Sequence, residues 1–226
     1  MKTILIIVVI VIVIFFVFQS FTILSTNKTE EQNYSILKKY EGFEIRFYPS
    51  ATFATIHSAA KTYRELLGPG FQKLAGYIFG GNATKTKISM TSPVQMDIND
   101  TTSTMSFVMP SGYSKENLPK PNDPNVEIKT TPDEYVAVIE FGGFASDKDL
   151  KFYSEKLQML LVKNEISAYG NLRFLGYNPP FQLLGRKNEI IVSVYWDEKK
   201  RAFYSPLVGW DDSARVTVFL FPSLSI

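Results

Sequence analysis

The side chains that could do chemistry in this sequence are few and of restricted kinds. His57 is the only histidine, and the 226 residues include no cysteine. Without cysteine the chain has no disulfide, no thiolate metal site, no cysteine nucleophile and no covalent cofactor link through a C-x-x-C-H motif. A single histidine at the end of a predicted strand is more often an ordinary surface residue than a metal ligand, so His57 is only a minor candidate for axial ligation.

Two methionines stand out because they share one face of a predicted strand. Residues 87–96 alternate between polar and mostly apolar side chains with a period of two, which places Met90 and Met96 on the apolar face. Pro93 has no amide proton to donate and indicates an edge, a bend or a strand start. Methionine is flexible and polarizable, so this face is interpreted either as core or as the wall of a pocket for a flat apolar ligand.

Three carboxylates lie on predicted strands, where burial would suit a general base: Glu44, Glu140 and Glu189. No nucleophile or electrophilic partner accompanies them in the sequence, and a turn salt bridge explains Glu189 equally well. A small-molecule hydrolase is therefore kept as a minor alternative, and we favour a protein that is not an enzyme. The distinguishing sign of the hydrolase would be one of these glutamates buried beside a tyrosine or tryptophan in an open cleft.

Two helices and a series of strands must position these side chains. The first helical segment starts near Thr62, is expected to break or kink at Gly68-Pro69-Gly70, and resumes over 71–78 before the Gly80-Gly81 stop. The second is predicted over 147–164, after a variant capping box at Ser146. A bent strand and loop are predicted over 174–181. Regular strands are predicted over 43–49, 51–57, 104–109, 126–129, 134–141 and 188–195.

The order of these elements predicts an α+β fold with two related halves. A strand pair, a helix and further strands occur twice along the chain. Two such halves would form one curved sheet or distorted barrel with a helix packed from each half. Residues 199–226 fit this pattern poorly, although 216–221 has the composition of one more strand.

The amino terminus is predicted to be a transmembrane signal anchor. Residues 4–18 are an unbroken apolar run, and 19–24 extend it to a length that spans a bilayer as a helix. No small-residue cleavage motif follows, which favours a retained anchor over a cleaved signal peptide or a buried core helix. The predicted organisation is therefore an anchor at 1–24, a tether at 25–33, a folded domain at 34–198 and a C-terminal extension at 199–226.

Charge gives a weak indication of topology and a clearer one about partners. Lys2 precedes the apolar run, whereas Lys28, Glu30 and Glu31 follow it, which favours a single-pass protein with a cytoplasmic N-terminus and an extracytoplasmic body. The chain carries 24 basic and 22 acidic residues. This near balance argues against a nucleic-acid partner and against a polybasic membrane patch.

Five groups of residues form an ordered set of motifs between about Tyr34 and Tyr195. They are YEGFEIRFYP (40–49), Gly70-Phe71 with Leu74, Tyr77-Ile78, Gly80 and Asn82, KISMTSPV (87–94), FGGF (141–144), and GYNPP (176–180) with GRKNEI (185–190). Together they resemble the SOUL haem-binding protein family. The resemblance implies two βαβββ-like repeats that form a distorted barrel flanked by two helices. It also implies reversible, non-covalent binding of haem or related tetrapyrroles, with a ligand region on the first helix and nearby strands.

A porphyrin is a flat apolar disc with two carboxylates on one edge, so its binder needs an apolar slot and basic groups at the rim. The slot candidates are Leu74, Tyr77, Ile78, Met90 and Met96. The candidates for the propionates are Lys73, Lys85, Lys87, Arg186 and Lys187. Because the chain has one histidine and no cysteine, we expect haem without a strong axial ligand, although His57 or a tyrosine stays open.

The function predicted from these features is a membrane-tethered haem or tetrapyrrole carrier, buffer or scavenger. Its predicted partners are the tetrapyrrole and the lipid bilayer, which residues 4–24 contact. The alternative is a membrane-tethered interaction module whose groove receives a peptide or a lipid. An exposed apolar groove without basic residues at its rim would favour that module.

Overall fold

The structure, a computed structural model, describes residues 2–197, so the strand predicted at 216–221 lies outside the described residues. Three helices are present in this range: α1 (Lys2–Thr26), α2 (Tyr63–Ile78) and α3 (Asp147–Lys163). The strands are β1 (Glu30–Glu31), β2 (Ser35–Tyr40), β3 (Phe43–Tyr48), β4 (Ala51–Ser58), β5 (Thr91–Ser92), β6 (Val94–Asp97), β7 (Ser103–Val108), β8 (Val126–Thr131), β9 (Glu134–Gly142), β10 (Ala168–Gly176) and β11 (Lys187–Val194).

Nine of these strands form one antiparallel sheet in the order β2-β3-β9-β11-β10-β6-β7-β4-β8. The order reveals the duplication, because β6 pairs with β10 at the centre and the same pattern extends to either side. The series β3-β4-α2-β6-β7 is therefore equivalent to β8-β9-α3-β10-β11. The first strand of each series pairs with the second strand of the other series: β3 pairs with β9, and β8 pairs with β4. The predicted α+β class and its two related halves are confirmed.

The two helices of the folded domain pack on the sheet and close its core. α2 contacts β4 and β7, and α3 contacts β9, β10 and β11. Both helices start at a capping hydroxyl: Thr62 accepts a bond from the Glu65 amide at 3.2 Å, and Ser146 accepts one from the Asp149 amide at 3.3 Å. Each cap satisfies an amide that has no partner within the helix.

The expected break in α2 at Pro69 is wrong, because the helix runs through the proline without interruption. Pro69 lies on the exposed side, whereas Leu66, Gly70 and Leu74 follow one another at four-residue spacing on the buried side. A Cβ on Gly70 would lie 3.0 Å from Cε of Met105 on β7, so the absence of a side chain lets the helix approach the sheet closely. Packing of this face therefore outweighs the lost hydrogen bond at Pro69.

The single strand predicted over 87–96 is also wrong, since only its second half has strand structure. Thr91 and Ser92 form β5, which pairs in parallel with β1, and 94–97 form β6 in the large sheet. Pro93 stands between them after a cis peptide bond. Because proline cannot donate to a ladder, the chain changes partner at this residue.

Strand β10 starts earlier than the strand predicted at 174–181. It begins at Ala168 and ends at Gly176, and its pairing with β11 shifts register between Tyr169 and Arg173. Gly170 has a φ of +71° within this irregular part. Glycine and polar residues interrupt the alternation here, which is why the sequence pattern did not extend the strand.

Helix α1 has the length and apolar composition to cross a membrane, properties that signal sequences share. Its residues from Ile4 to Phe18 are exposed, whereas Gln19 and Thr22 near its C-terminal end are buried. The predicted N-terminal apolar helix is thus confirmed. Its buried end contacts the folded domain.

Candidate functional site

Three of the predicted slot residues lie in the core beneath α2. Leu74, Tyr77 and Ile78 are each no more than 2% exposed, on the helix face that meets the sheet. The Tyr77 hydroxyl donates to the carbonyl of Pro119 at 3.0 Å. A ligand would reach these side chains only if α2 moved away from the sheet, so their contact with a tetrapyrrole stays a prediction.

The two methionines lie in different surroundings. Met90 is half-buried in the segment before β5, whereas Met96 is buried on β6, opposite Phe174 of β10 and Met105 of β7. Met96 also lines an open cleft. It is therefore the predicted slot residue that lies at the base of a cleft, although Met96 itself is only 2% exposed.

This cleft, here called the α3 cleft, lies between the first turns of α3 and strands β6 and β10. Its volume is about 390 Å³, within the usual range for small-molecule sites. Lys151 stands at the cleft with 79% of its side chain exposed, and its ammonium is 3.9 Å from Glu155. Asp147 contributes a carboxylate to the lining. The apolar part of the lining comprises Met96, Ile98, Leu150, Leu172, Phe174 and Ile190.

Arg173 adds a second cation to the lining of the α3 cleft, but its charge is already paired. Its guanidinium makes two hydrogen bonds to the carboxylate of Glu134, at 2.8 and 2.9 Å. Such a bidentate pair fixes the guanidinium in one orientation. An anionic ligand in the cleft would therefore meet Lys151 first, since within residues 2–197 its ammonium forms one ion pair, with Glu155 at 3.9 Å.

The predicted propionate partners are not brought together in one place. Lys73 is exposed on α2. Arg186 donates to the carbonyls of Pro179 and Gln182, both at 2.7 Å, and lies over the ring of Phe144. Both residues keep a ligand role only as a prediction.

Lys187 belongs to a buried charged cluster that the sequence did not predict. Its ammonium lies 3.3 Å from the Glu189 carboxylate and 4.0 Å from the centroid of the Tyr177 ring. Glu189 is fully buried; it accepts from Arg46 at 3.0 Å and from the Tyr177 hydroxyl at 2.7 Å. The Arg46 guanidinium also stacks over Tyr34, at 4.2 Å from the ring centroid.

The surroundings of the cluster shift the pKa values of Arg46, Tyr48 and Tyr177. Burial alone would lower the pKa of Arg46, but Glu189 and hydrogen bonds to Tyr48 and Glu44 raise it well above its usual value. Burial and the charge of Glu189 raise the pKa of Tyr48 to about 12, and the same causes raise the pKa of Tyr177 further. At neutral pH Arg46 is therefore charged, and Tyr177 keeps the proton that it donates to Glu189.

A sequence signal for this cluster existed but was not decisive. Arg46 and Glu189 each interrupt a strand that is otherwise rich in apolar or β-branched residues. Buried charges are nearly always paired, so each of them required a partner of opposite sign. The pairing joins residues 143 positions apart, and only the sheet order makes them neighbours.

The family of the protein follows from comparison with known sequences. The family model described as "SOUL heme-binding protein" matches residues 29–193. The chain belongs to this family. Heme-binding protein 2 of Mus musculus is 30% identical over 161 residues, which cover 66% of this chain and 76% of the mouse protein. Heme-binding protein 1 of Xenopus laevis is 30% identical over 156 residues, which cover 66% and 81%.

Solved structures resemble this SOUL protein in fold only. The crystal structure of the EcmrR C-terminal domain superposes with a TM-score of 0.51 at 12% sequence identity. The match covers 73% of this chain and 99% of that domain. At this identity the likeness supports the architecture of the sheet and helices and carries nothing about ligands.

The glutamates of this SOUL protein do not reproduce the arrangement expected of a hydrolase. Glu189 is buried beside Tyr177, as that arrangement requires, but it does not lie in an open cleft. Its carboxylate is surrounded by Arg46, Lys187 and Tyr177 and does not face solvent. Glu140 is exposed on β9. Glu44 is bound to Arg46 at 2.9 Å.

His57 shows no metal-binding surroundings among residues 2–197. Its side chain is 55% exposed at the end of β4, with Nε2 3.5 Å from the Glu127 carboxylate. In this part of the chain no group of three or more His, Asp or Glu side chains could hold a metal ion. Ligation of haem iron by His57 or by a tyrosine stays a prediction.

Proposed function

We propose that this protein is a membrane-tethered binder of haem or a related tetrapyrrole, which it holds non-covalently as a carrier, buffer or scavenger. The observation that carries the proposal is the SOUL match over 29–193, together with relatives that are named heme-binding proteins. Helix α1 supplies the tether, and its retention is supported by the contacts that its buried end makes with the domain. A cytoplasmic N-terminus is part of the proposal.

The α3 cleft is the site that the geometry favours for the ligand. Its floor of Met96, Leu172 and Phe174 offers a sulfur and aromatic wall to a flat ring, and Lys151 offers an ammonium to a propionate. The cleft is open in the native packing, whereas Leu74, Tyr77 and Ile78 are not accessible without displacing α2. The predicted slot against α2 is the second possible location, and Lys73 on α2 is the residue whose substitution tests it.

Hemin titration of the full chain in lipid nanodiscs tests the proposal. We expect a saturable shift of the Soret band. Reversing the charge at the cleft with Lys151→Glu should weaken binding by about tenfold, because a charge-assisted contact of roughly 1.5 kcal/mol becomes repulsive. The matched control is Lys163→Glu, an exposed lysine in the last turn of the same helix, which should leave the affinity unchanged.

Lys73→Glu separates the two locations. If it weakens hemin binding while Lys151→Glu does not, the ligand lies against α2 and the α3 cleft is wrong. No saturable Soret shift with the unaltered chain would overturn haem binding altogether.

The lining of the α3 cleft gives less support to the alternative function, an interaction module whose groove receives a peptide or a lipid. That reading requires an apolar groove without basic residues at its rim, whereas Lys151 and Arg173 both line the α3 cleft. The exposed ammonium of Lys151 suits a carboxylate-bearing ligand better than a lipid tail or an apolar peptide, although Asp147 also lines the cleft.

A further inference from the structure

Two neighbouring loops expose four large apolar side chains. Phe181, Leu183 and Leu184 are 55%, 44% and 46% exposed in the segment between β10 and β11, here called the 177–186 loop. Phe144, in the connection between β9 and α3, is 57% exposed. Arg186 joins the two segments, because its guanidinium lies 4.4 Å from the centroid of the Phe144 ring.

Several backbone carbonyls of the 177–186 loop accept hydrogen bonds from side chains of the protein. Arg186 donates to the carbonyls of Pro179 and Gln182, both at 2.7 Å. The Gln182 side chain donates to the carbonyl of Leu184 at 3.0 Å. The loop thus exposes large apolar side chains while side chains of the protein satisfy several of its carbonyls. That arrangement suits a medium that offers few hydrogen bonds.

The same loop is attached to the C-terminal end of α1. The Gln19 amide donates to the carbonyl of Phe181 at 3.2 Å and accepts from the amide of Leu183 at 2.8 Å. The Thr26 hydroxyl donates to the Gln182 side chain at 2.7 Å. The exposed apolar residues are therefore continuous with the apolar surface of α1.

The position of Gln19 along α1 gives the depth of this contact. A span that starts at Ile4 and covers a hydrocarbon layer of about 30 Å needs roughly 20 residues and ends near Leu24. Gln19 lies five residues before that end, or about 7 Å inside the edge of the layer. An amide at this depth needs protein partners, and the 177–186 loop supplies both a donor and an acceptor.

We propose that the 177–186 loop and Phe144 dock into the interfacial layer of the bilayer beside α1. The occupant of this apolar surface is lipid, because the surface continues that of the spanning helix and several of the loop carbonyls already have donors within the protein. The loop contains no acidic residue, so lipid phosphates do not repel it. The inference depends on the membrane anchor of the proposed function and goes beyond it by assigning the domain a second lipid contact.

Depth-dependent quenching tests the inference directly, because a chain without cysteine accepts one label at a chosen position. The full chain is reconstituted into phosphatidylcholine vesicles with Leu184→Cys carrying the fluorophore NBD, and doxyl-labelled lipid is added as quencher. Val162→Cys is the matched control: Val162 is 79% exposed but lies about 22 Å along α3 from its start, away from the Phe144 segment. Ile10→Cys, in the middle of α1, reports whether the anchor is inserted.

We expect quenching at residues 10 and 184 and at least threefold weaker quenching at 162. Quenching at 10 without quenching at 184, or equal quenching at 184 and 162, overturns the docking while the anchor stands. Absence of quenching at 10 overturns the anchor and, with it, the inference. Hemin binding, read from the Soret band in the same vesicles, is independent of all these outcomes.

Discussion

At the scale of single residues, Arg46 and Glu189 are the most consequential pair in the folded domain. The two side chains are 4% and 0% exposed, so water screens neither charge. Such a buried ion pair stabilises the folded state little more than apolar residues of the same size would. Removing either member is strongly destabilising, because it leaves the other charge buried without a counter-ion. Tyr48, Tyr177 and Lys187 supply the further contacts that a buried carboxylate and guanidinium require. The cluster therefore acts in stability, and the predicted contact of Lys187 with a propionate stays a prediction.

Glu189→Gln should destabilise the protein by about 3–5 kcal/mol, because it leaves the Arg46 charge buried without its counter-ion. The measurement is urea unfolding of the full chain in mild detergent, followed by circular dichroism. Glu44→Gln is the matched control, since Glu44 also binds Arg46 but is partly exposed; it should cost less than about 1 kcal/mol. Adding Arg46→Met to Glu189→Gln should recover part of the loss, and equal losses in the two single variants would contradict the prediction.

At the scale of elements, Gly76 within α2 and Gly81 shortly after it differ in the space available for a side chain. Gly76 is exposed within the helix, and a Cβ there would meet nothing within 4 Å. Gly81 follows the helix and donates to the carbonyl of Gly76 at 2.8 Å. A Cβ on Gly81 would lie 2.5 Å from that carbonyl oxygen, which is backbone and cannot rotate away.

Gly76→Ala should stabilise the protein by about 0.5–1 kcal/mol, because alanine restricts the unfolded chain and favours the helix. Gly81→Ala should destabilise it by at least about 1 kcal/mol through the clash with the last turn. Thermal unfolding of the two variants beside the unaltered chain measures both effects. A stabilising Gly81→Ala would show that the turn after α2 is not packed as described.

Sequence patterns predicted the secondary-structure elements correctly where a single local signal determines the structure. They failed where tertiary packing determines it. The glycines after α2 and the cap at Ser146 set helix ends correctly, whereas the break at Pro69 was overridden by packing against Met105. The apolar stripe of α2 was recognised as well. Periodicity cannot tell whether such a stripe faces a ligand or a sheet, so Leu74 was a reasonable slot candidate from sequence alone.

The α3 cleft could not be predicted because its parts are distant in the chain. Met96, Lys151 and Leu172 come from β6, α3 and β10. They become neighbours only through the central pairing of β6 with β10, where the two repeats meet. The family resemblance identified the repeats, but the register that brings these three side chains together is a property of the folded sheet.

At the scale of the whole molecule, α1 and the folded domain share a polar contact. If α1 spans a membrane as proposed, this contact limits how the domain can lie on that membrane. A flexible tether alone would leave the body free to rotate about its anchor. The Gln19 bonds to the 177–186 loop, and the pairing of β1 with β5, instead hold both ends of the connection against the domain. The α3 cleft would then keep a constant orientation towards the bilayer, which matters for an apolar ligand that partitions into lipid.

Gln19→Leu should release the 177–186 loop from α1 without weakening the membrane span. The Leu183 amide donates to Gln19, so it should be protected from hydrogen exchange in the unaltered chain. Loss of that acceptor costs about 1–1.5 kcal/mol and should accelerate exchange at Leu183 by roughly tenfold in lipid nanodiscs. Ser20→Leu is the matched control, because it makes a similar change at an exposed neighbouring position and should leave exchange at Leu183 unchanged. Equal exchange at Leu183 in all three chains would mean that the bond from Leu183 to Gln19 does not hold the loop against α1.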